Sequence, residues 1–365
     1  MQTSGPPCQL CAPWEGFRET RSDGDASRRP ASAGRAERLG WCEDDDEVVR
    51  CPACGALWLH WTTRDGDTGT SHEALTRLAR GEAVQRLLAV LARYPDQDKS
   101  AAERALDELL GPPPPLVELL PRARPGDGEA LYQLARLGPA AAAARPALLP
   151  HAGQELVARV LGVGGAVAEL AEAAAGGSAA AVRGLGRTGA REAVPALIAL
   201  LRDGLSEAVL ARLPGIERWA TPSQVAVSAA GALARLGAGE DALGEYVERG
   251  AISEAREAAA LALGRLRATA TLLRLLRSPD WTARWRAAQG LALAGVASPE
   301  VVDGLRQAAL EPLYESPIAR AEAFRTLIAL GVDAAALEEL LRAAAAHPAE
   351  AVRRSVASFR QDLPP

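Results

Sequence analysis

Glu254-Ala255-Arg256-Glu257-Ala258-Ala259 returns, with changes, as Thr282-Ala283-Arg284-Trp285-Arg286-Ala287, as Ile318-Ala319-Arg320-Ala321-Glu322-Ala323 and as Ala351-Val352-Arg353-Arg354-Ser355-Val356. Seven residues after each arginine comes the anchor position of a helix-ending pattern close to L-x-x-L-G. Working outward, ends of this kind fall at Gly111, Gly138, Gly162, Gly189, Gly237, Arg267, Gly295, Gly331 and Pro364, with successive spacings of 27, 24, 27, 48, 30, 28, 36 and 33 residues. A period of about 30 residues, with room for two short helices, describes a unit that cannot bury its apolar face alone and must stack on its neighbours. Composition agrees: aromatic residues are only 4% of the chain, too few for the β-branched and aromatic runs that strands prefer.

Over about residues 100–365 this series resembles HEAT-like repeats, in particular the short phycobilisome-lyase type. The resemblance implies an all-α, right-handed α-solenoid whose surface binds another protein. The period is shorter than the roughly 40 to 47 residues of standard HEAT units, and the copies before Gly189 lack the arginine. The aligned Arg256, Arg284, Arg320 and Arg353 form either a basic ladder for an acidic ligand or, the preferred reading, a set of ties to neighbouring carboxylates and helix-end carbonyls. Pro112 to Pro115 reads as a helix stop, because proline lacks the donor and clashes inside a helix.

Upstream the pattern changes. Cys8 and Cys11 form one C-x-x-C pair, and Cys51 and Cys54 a second within Cys51-Pro52-Ala53-Cys54-Gly55. Four thiolates suit one tetrahedral structural Zn2+, and a glycine after the second pair eases the tight turn. A redox dithiol or unliganded cysteines are the weaker alternatives. This knuckle resembles those of zinc ribbons, which implies a small N-terminal β module. Short strands are expected at Leu39 to Cys42, Val48 to Cys51 and Ala56 to Thr63, with an acidic turn at Glu43 to Glu47. The 39 residues between the pairs exceed the roughly 15 to 20 that are usual, so residues 18–38 read as a flexible loop. Cys42 is a spare residue, and His60 and His72 are reserve ligands. Trp14, Trp41, Trp58 and Trp61 either cover the metal site or offer a docking surface.

The expected organisation is a zinc-ribbon-like module at 1–62, a polar linker at 63–72 and a solenoid at 73–365, its first helix opened by Thr70-Ser71-His72-Glu73 as a capping box. Two interruptions of the period mark candidate binding regions. One is an insertion at about 204–223 bearing Leu205, Val209, Arg218 and Trp219; the other lies near Pro312, Tyr314 and Pro317. Trp281 and Trp285 stand four residues apart and share a helix face. Ala283, Ala287 and Leu291 take the core positions of that repeat, so Trp285 is read either as exposed toward the concave surface or as packing on the adjacent helix. The partner-binding candidates are therefore Trp281, Trp285, Arg218, Trp219, Arg284, Arg286 and Tyr314.

The formal net charge is -5, with 8 basic against 12 acidic residues in 1–72 and 33 against 34 beyond. That balance is not the footprint of a phosphate-backbone binder, so nucleic acid is disfavoured. Lys99 is the only lysine, which reads as GC-rich, bacterial codon usage. With no apolar run long enough for a membrane span and no signal peptide, the expected location is the cytoplasm, where paired cysteines are metal ligands rather than disulfides. No phosphate loop, H-E-x-x-H helix or nucleophile elbow occurs. The expectation is a non-enzymatic protein-binding scaffold: an adaptor, inhibitor or immunity-type protein. The alternative is a HEAT-like alkylbase DNA glycosylase, to which Asp280, Trp281, Trp285, Arg284 and Arg286 would supply the right residue types; a bilin-handling lyase ranks below it.

Overall fold

The computed structural model describes residues 8–9, 12–15, 17–22, 36–41, 47–65, 70–93, 100–212, 217–310 and 317–361. Two compact units divide the chain, Met1–Val160 and Leu161–Pro365.

The first unit opens with an antiparallel sheet of β1 (Arg18–Ser22), β2 (Glu37–Trp41), β3 (Glu47–Arg50), β4 (Leu57–Asp65) and β5 (Thr70–Arg77), in the order β1-β5-β4-β3-β2. Its pleat sorts alternate residues to two cores. Val48 pairs with Leu59 and Val49 with Trp58, so neighbours in sequence face opposite ways. Leu39, Val48, Leu57 and Leu59 join Val84, Leu87 and Leu91 of α1 (Arg80–Arg93) and Ala102 and Leu106 of α2 (Ser100–Leu110). Trp14, Val49, Cys51, Trp58 and Leu75 make the other core. Beyond α2 come α3 (Leu116–Leu119), α4 (Gly128–Arg136), α5 (Arg145–Leu148) and α6 (Glu155–Val163), the last running across the division between units. Within the first unit Tyr132 of α4 is buried, its hydroxyl donating to Asp107 Oδ1 at 3.0 Å.

Three expectations are corrected here. Thr70 to Glu73 is not a capping box: it lies in β5, paired with β4 residues Thr62 to Asp65 and with β1, and the first helix begins at Arg80. Local capping chemistry lost to strand pairing along the sheet. Residues 18–22, expected within a flexible loop, form β1. The repeat end placed at Gly162 falls three residues later, at Gly165 in the left-handed region, because α6 continues to Val163. The three strands expected around the second knuckle are present as β2, β3 and β4.

The second unit is an α-solenoid. In chain order it comprises α7 (Val167–Ala175), α8 (Ala179–Arg187), α9 (Val194–Arg202), α10 (Glu207–Leu210), α11 (Glu217–Arg235), α12 (Glu240–Arg249), α13 (Ser253–Arg265), α14 (Thr269–Leu275), α15 (Trp281–Ala294), α16 (Pro299–Leu310), α17 (Pro317–Ala329), α18 (Ala334–Ala345) and α19 (Glu350–Gln361). Helices α8, α11, α13, α15, α17 and α19 stack successively in one layer, and each also packs against a partner from the other layer, as α13 does on α12 and α15 on α14. Repeat-equivalent positions are fully buried: Ala259 and Leu263, Ala287 and Leu291, Ala323 and Leu327. Small residues bring the helices together. A Cβ on Gly264 would collide with the Gly290 carbonyl, and one on Gly162 with the Gly184 carbonyl, the same contact in two repeats. Gly237, Gly295 and Gly331 end their helices in the left-handed region, while Arg267 holds the equivalent place at φ 54°. The insertion contributes the short α10 and the first turns of α11, which contains Pro222.

Candidate functional site

The cysteine cluster is built by the turn after β3. Cys51 is buried beside Trp58, and Gly55, at φ 72°, donates to the Cys51 carbonyl at 2.9 Å while Cys51 N–H donates to Ala56 O at 2.9 Å. That closed turn carries Cys51 and Cys54 to one place. Cys8 joins them, its Sγ 3.9 Å from that of Cys51, and all three sulfur atoms lie within 4.8 Å of one another. Thiolates bound tetrahedrally to one zinc at about 2.3 Å would stand roughly 3.8 Å apart, so the cluster can hold a metal ion. Cys11 and Cys42 lie outside the described residues.

Trp14 and Trp58 pack on the buried side of the cluster, in one core with Cys51, meeting edge to face with centroids 5.5 Å apart, while Cys54 is exposed. Of the four tryptophans expected to cover the metal site or to offer a docking surface, Trp14 and Trp58 are buried beside Cys51; the side chains of Trp41 and Trp61 are outside the described set. His60 does not join the sulfur atoms. It is buried across the β3–β4 ladder from Glu47, with Nδ1 3.7 Å from the carboxylate. The His72 side chain is likewise outside the described set.

The repeated arginines are ties. Arg256 Nε donates to Val247 O at 2.7 Å, Arg284 Nη1 to Ser278 O at 2.6 Å and Pro279 O at 3.0 Å, and Arg353 Nη1 to His347 O and Pro348 O at 2.7 Å each. In each case a guanidinium on one helix of the repeat neutralises carbonyls at or just past the end of the preceding helix, where the backbone has acceptors to spare. Arg320, also buried, reaches the next repeat at Ala351 O, 3.2 Å away. The acidic-ligand ladder is therefore not presented to solvent by Arg284 or Arg320.

On α15 the helical phase puts Trp281 and Trp285 together on the solvent side. Trp281 is 41% exposed and Trp285 half-buried, and their rings stack at 6.4 Å with 22° between planes. Among the described residues the exposed large apolar side chains are Val117, Trp281, Leu293, Ile318 and Ile328, and four of these five lie on the adjacent helices α15 and α17. Next to the tryptophans, Asp280 caps α15, accepting from Thr282 N at 2.9 Å, and pairs with Arg256. Burial raises its pKa, but the hydrogen bonds from Arg256 and Thr282 outweigh that and hold the carboxyl below its ordinary range. Arg286 is buried under Trp285, its guanidinium carbon 5.7 Å from the ring centroid. Arg218 and Trp219 fall on α11, but their side chains are outside the described set, and Tyr314 is outside the described residues.

Sequence reasoning missed the sheet partners β1 and β5, and it missed a pocket of about 540 Å³ beside α10, lined by Leu205, Leu210, Pro222, Tyr246 and Ile252 among others. The run of apolar residues in the insertion was the available signal for that pocket. Against known proteins, a family profile for HEAT repeats matches residues 269–359, which run from α14 into α19 and include both tryptophans. A search of curated proteins returns no match. No helix among the described residues is long and apolar enough to cross a membrane.

Proposed function

We propose that the chain is a non-enzymatic protein-binding scaffold, of adaptor, inhibitor or immunity type, that grips another protein with the solvent face of α15 and α17. The observation that carries this reading is the stacked Trp281–Trp285 pair, the first ring exposed and the second partly so, on a helix whose Ala283, Ala287 and Leu291 are buried. Trp and Arg dominate interface hot spots because they bring large area or many donors into a desolvated centre. Clustered apolar exposure of this kind on a folded protein is otherwise an aggregation liability. Zinc is the metal we assign to the cysteine cluster. Cys8, Cys51 and Cys54 would hold it, with Cys11 as the fourth thiolate, and four sulfur ligands close the ion to substrate and make it structural.

The carboxylate that a glycosylase-like reaction would need, Asp280, already accepts from Arg256 and Thr282. The test is affinity capture from the source organism with the full chain and with a Trp285→Ala variant of equal melting temperature. A protein retained by the first and lost by the second is the expected result, whereas equal retention by both would move the binding face elsewhere. Excision of alkylated bases from duplex DNA, abolished by Asp280→Asn, would overturn the non-enzymatic reading.

A further inference from the structure

We infer that Arg286 is the receptor for a carboxylate carried by the protein partner, an Asp or Glu side chain or a chain terminus that seats beneath Trp285. This rests on the reading of α15 and α17 as the partner-binding face. Arg286 is only 3% exposed, yet of its donors just Nη2 has a directed bond, to Ser253 Oγ at 2.7 Å; Nε and Nη1 are buried with no hydrogen-bond partner. A guanidinium carries five N–H donors and no acceptor, so an anion is what completes it. The charges around it leave that need standing. Burial, and then the like charge of Arg256, disfavour the protonated form of Arg286, and Glu257, Asp280 and Glu254 offset this only in part.

Access would run past Trp285, whose ring lies over the guanidinium and is itself only partly buried. Turning that ring aside admits a carboxylate and leaves the indole stacked on the incoming chain. The neighbouring chemistry favours a polypeptide segment over a bare phosphodiester backbone. Gln289, one turn along α15, has a buried amide oxygen with no partner. A polypeptide brings N–H donors for that oxygen together with its carboxylate, whereas a phosphodiester has no donor. Glu254 and Glu257 nearby would also repel a polyanionic backbone more than a single carboxylate.

The experiment is selection of a random peptide display library on the immobilised full-length chain, counter-selected on Trp285→Ala. Peptides that depend on Trp285 are expected to share an acidic residue. Changing that residue to its amide should weaken binding to the wild type about tenfold or more, as for a hydrogen bond to a charged group, but change binding to Arg286→Gln by less than about threefold, the signature of direct coupling. Acetate, but not acetamide, should also shift the Arg286 Nε–H resonance of the wild-type protein, a readout that survives even if Arg286→Gln fails to fold. Trp285-dependent peptides that need no acid and bind Arg286→Gln normally would overturn the carboxylate site and leave the binding face intact. Absence of any Trp285-dependent peptide would overturn both. A larger Nε–H shift with inorganic phosphate or a single-stranded oligonucleotide than with acetate would replace the carboxylate by a phosphate ligand.

Discussion

Two tryptophan pairs divide the molecule's uses of one residue type. Trp14 and Trp58 are buried, meet edge to face and sit against Cys51; Trp281 and Trp285 stack on the solvent side of α15, with Ala287 and Leu291 filling the core behind them. In the sheet, the aromatic rings are themselves the core, because a small β module has little else to bury around its cysteines. In the solenoid, alanine, leucine and glycine supply the core through close helix contact, and these two rings stay at the surface, where the proposed function puts them to use. The difference shows that a tryptophan's role is set by what its neighbours already bury.

The sharpest way to break the comparison is at the metal. Chelation, or Cys51→Ser, is expected to release the N-terminal sheet, since structural zinc contributes about 10 to 16 kcal/mol in small zinc peptides. Emission of Trp14 and Trp58 should shift to the red as they become wet. Because the sheet shares a core with α1 and α2, protection of those helices against hydrogen exchange should fall too, while α13 to α17 stay protected. Metal analysis giving well under one equivalent per chain would remove the basis for this effect.

Next in size are the core truncations. Trp58→Ala should cost about 3 to 5 kcal/mol and Leu291→Ala about 2 to 5 kcal/mol, read from the denaturant midpoints of their respective units. A cost below about 1 kcal/mol at Trp58 would mean that its ring is not the core of the sheet.

Smaller again is Asp280→Ala, which removes a helix cap and a charge pair for about 1 to 2 kcal/mol. The sign with pH follows from a folded pKa lying below the unfolded one. The stabilisation is complete above the ordinary aspartate value of about 3.9 and is lost as pH falls through the lower folded value. The gap between wild type and variant should therefore be constant near neutrality and close in acid. The smallest effect is a gain: Arg267→Gly should raise stability by about 1 kcal/mol, because a side chain in the left-handed region is strained and glycine is not.

The solenoid was legible because its C-terminal repeats share their reasons: the arginine that ties backbone carbonyls, the small residues at the helix contact and, in most, the glycine past the helix end. Arg267 could be recognised as a repeat end only because the series around it was regular. Gly162 misled for a related reason, since a glycine needed for close approach to Gly184 has the same letter as one needed to turn the chain. The strands β1 and β5 were hidden because their pairing joins residues 18–22 to residues 70–74, a long-range ladder with no local signature. That Cys8, Cys51 and Cys54 come together was legible from the two C-x-x-C spacings and the chemistry of thiolates. The burial of Arg286 was not, because it depends on how α13 and α15 meet.

The central claim, that the ring face on α15 serves recognition rather than packing, is tested most directly by measuring partner affinity and melting temperature for Trp285→Ala beside Leu291→Ala. The account predicts an affinity loss of about 2 kcal/mol or more for Trp285→Ala with a stability change under about 1 kcal/mol, and a large stability loss for Leu291→Ala. A large melting shift at Trp285 with unchanged affinity would contradict it and assign the ring to packing between repeats.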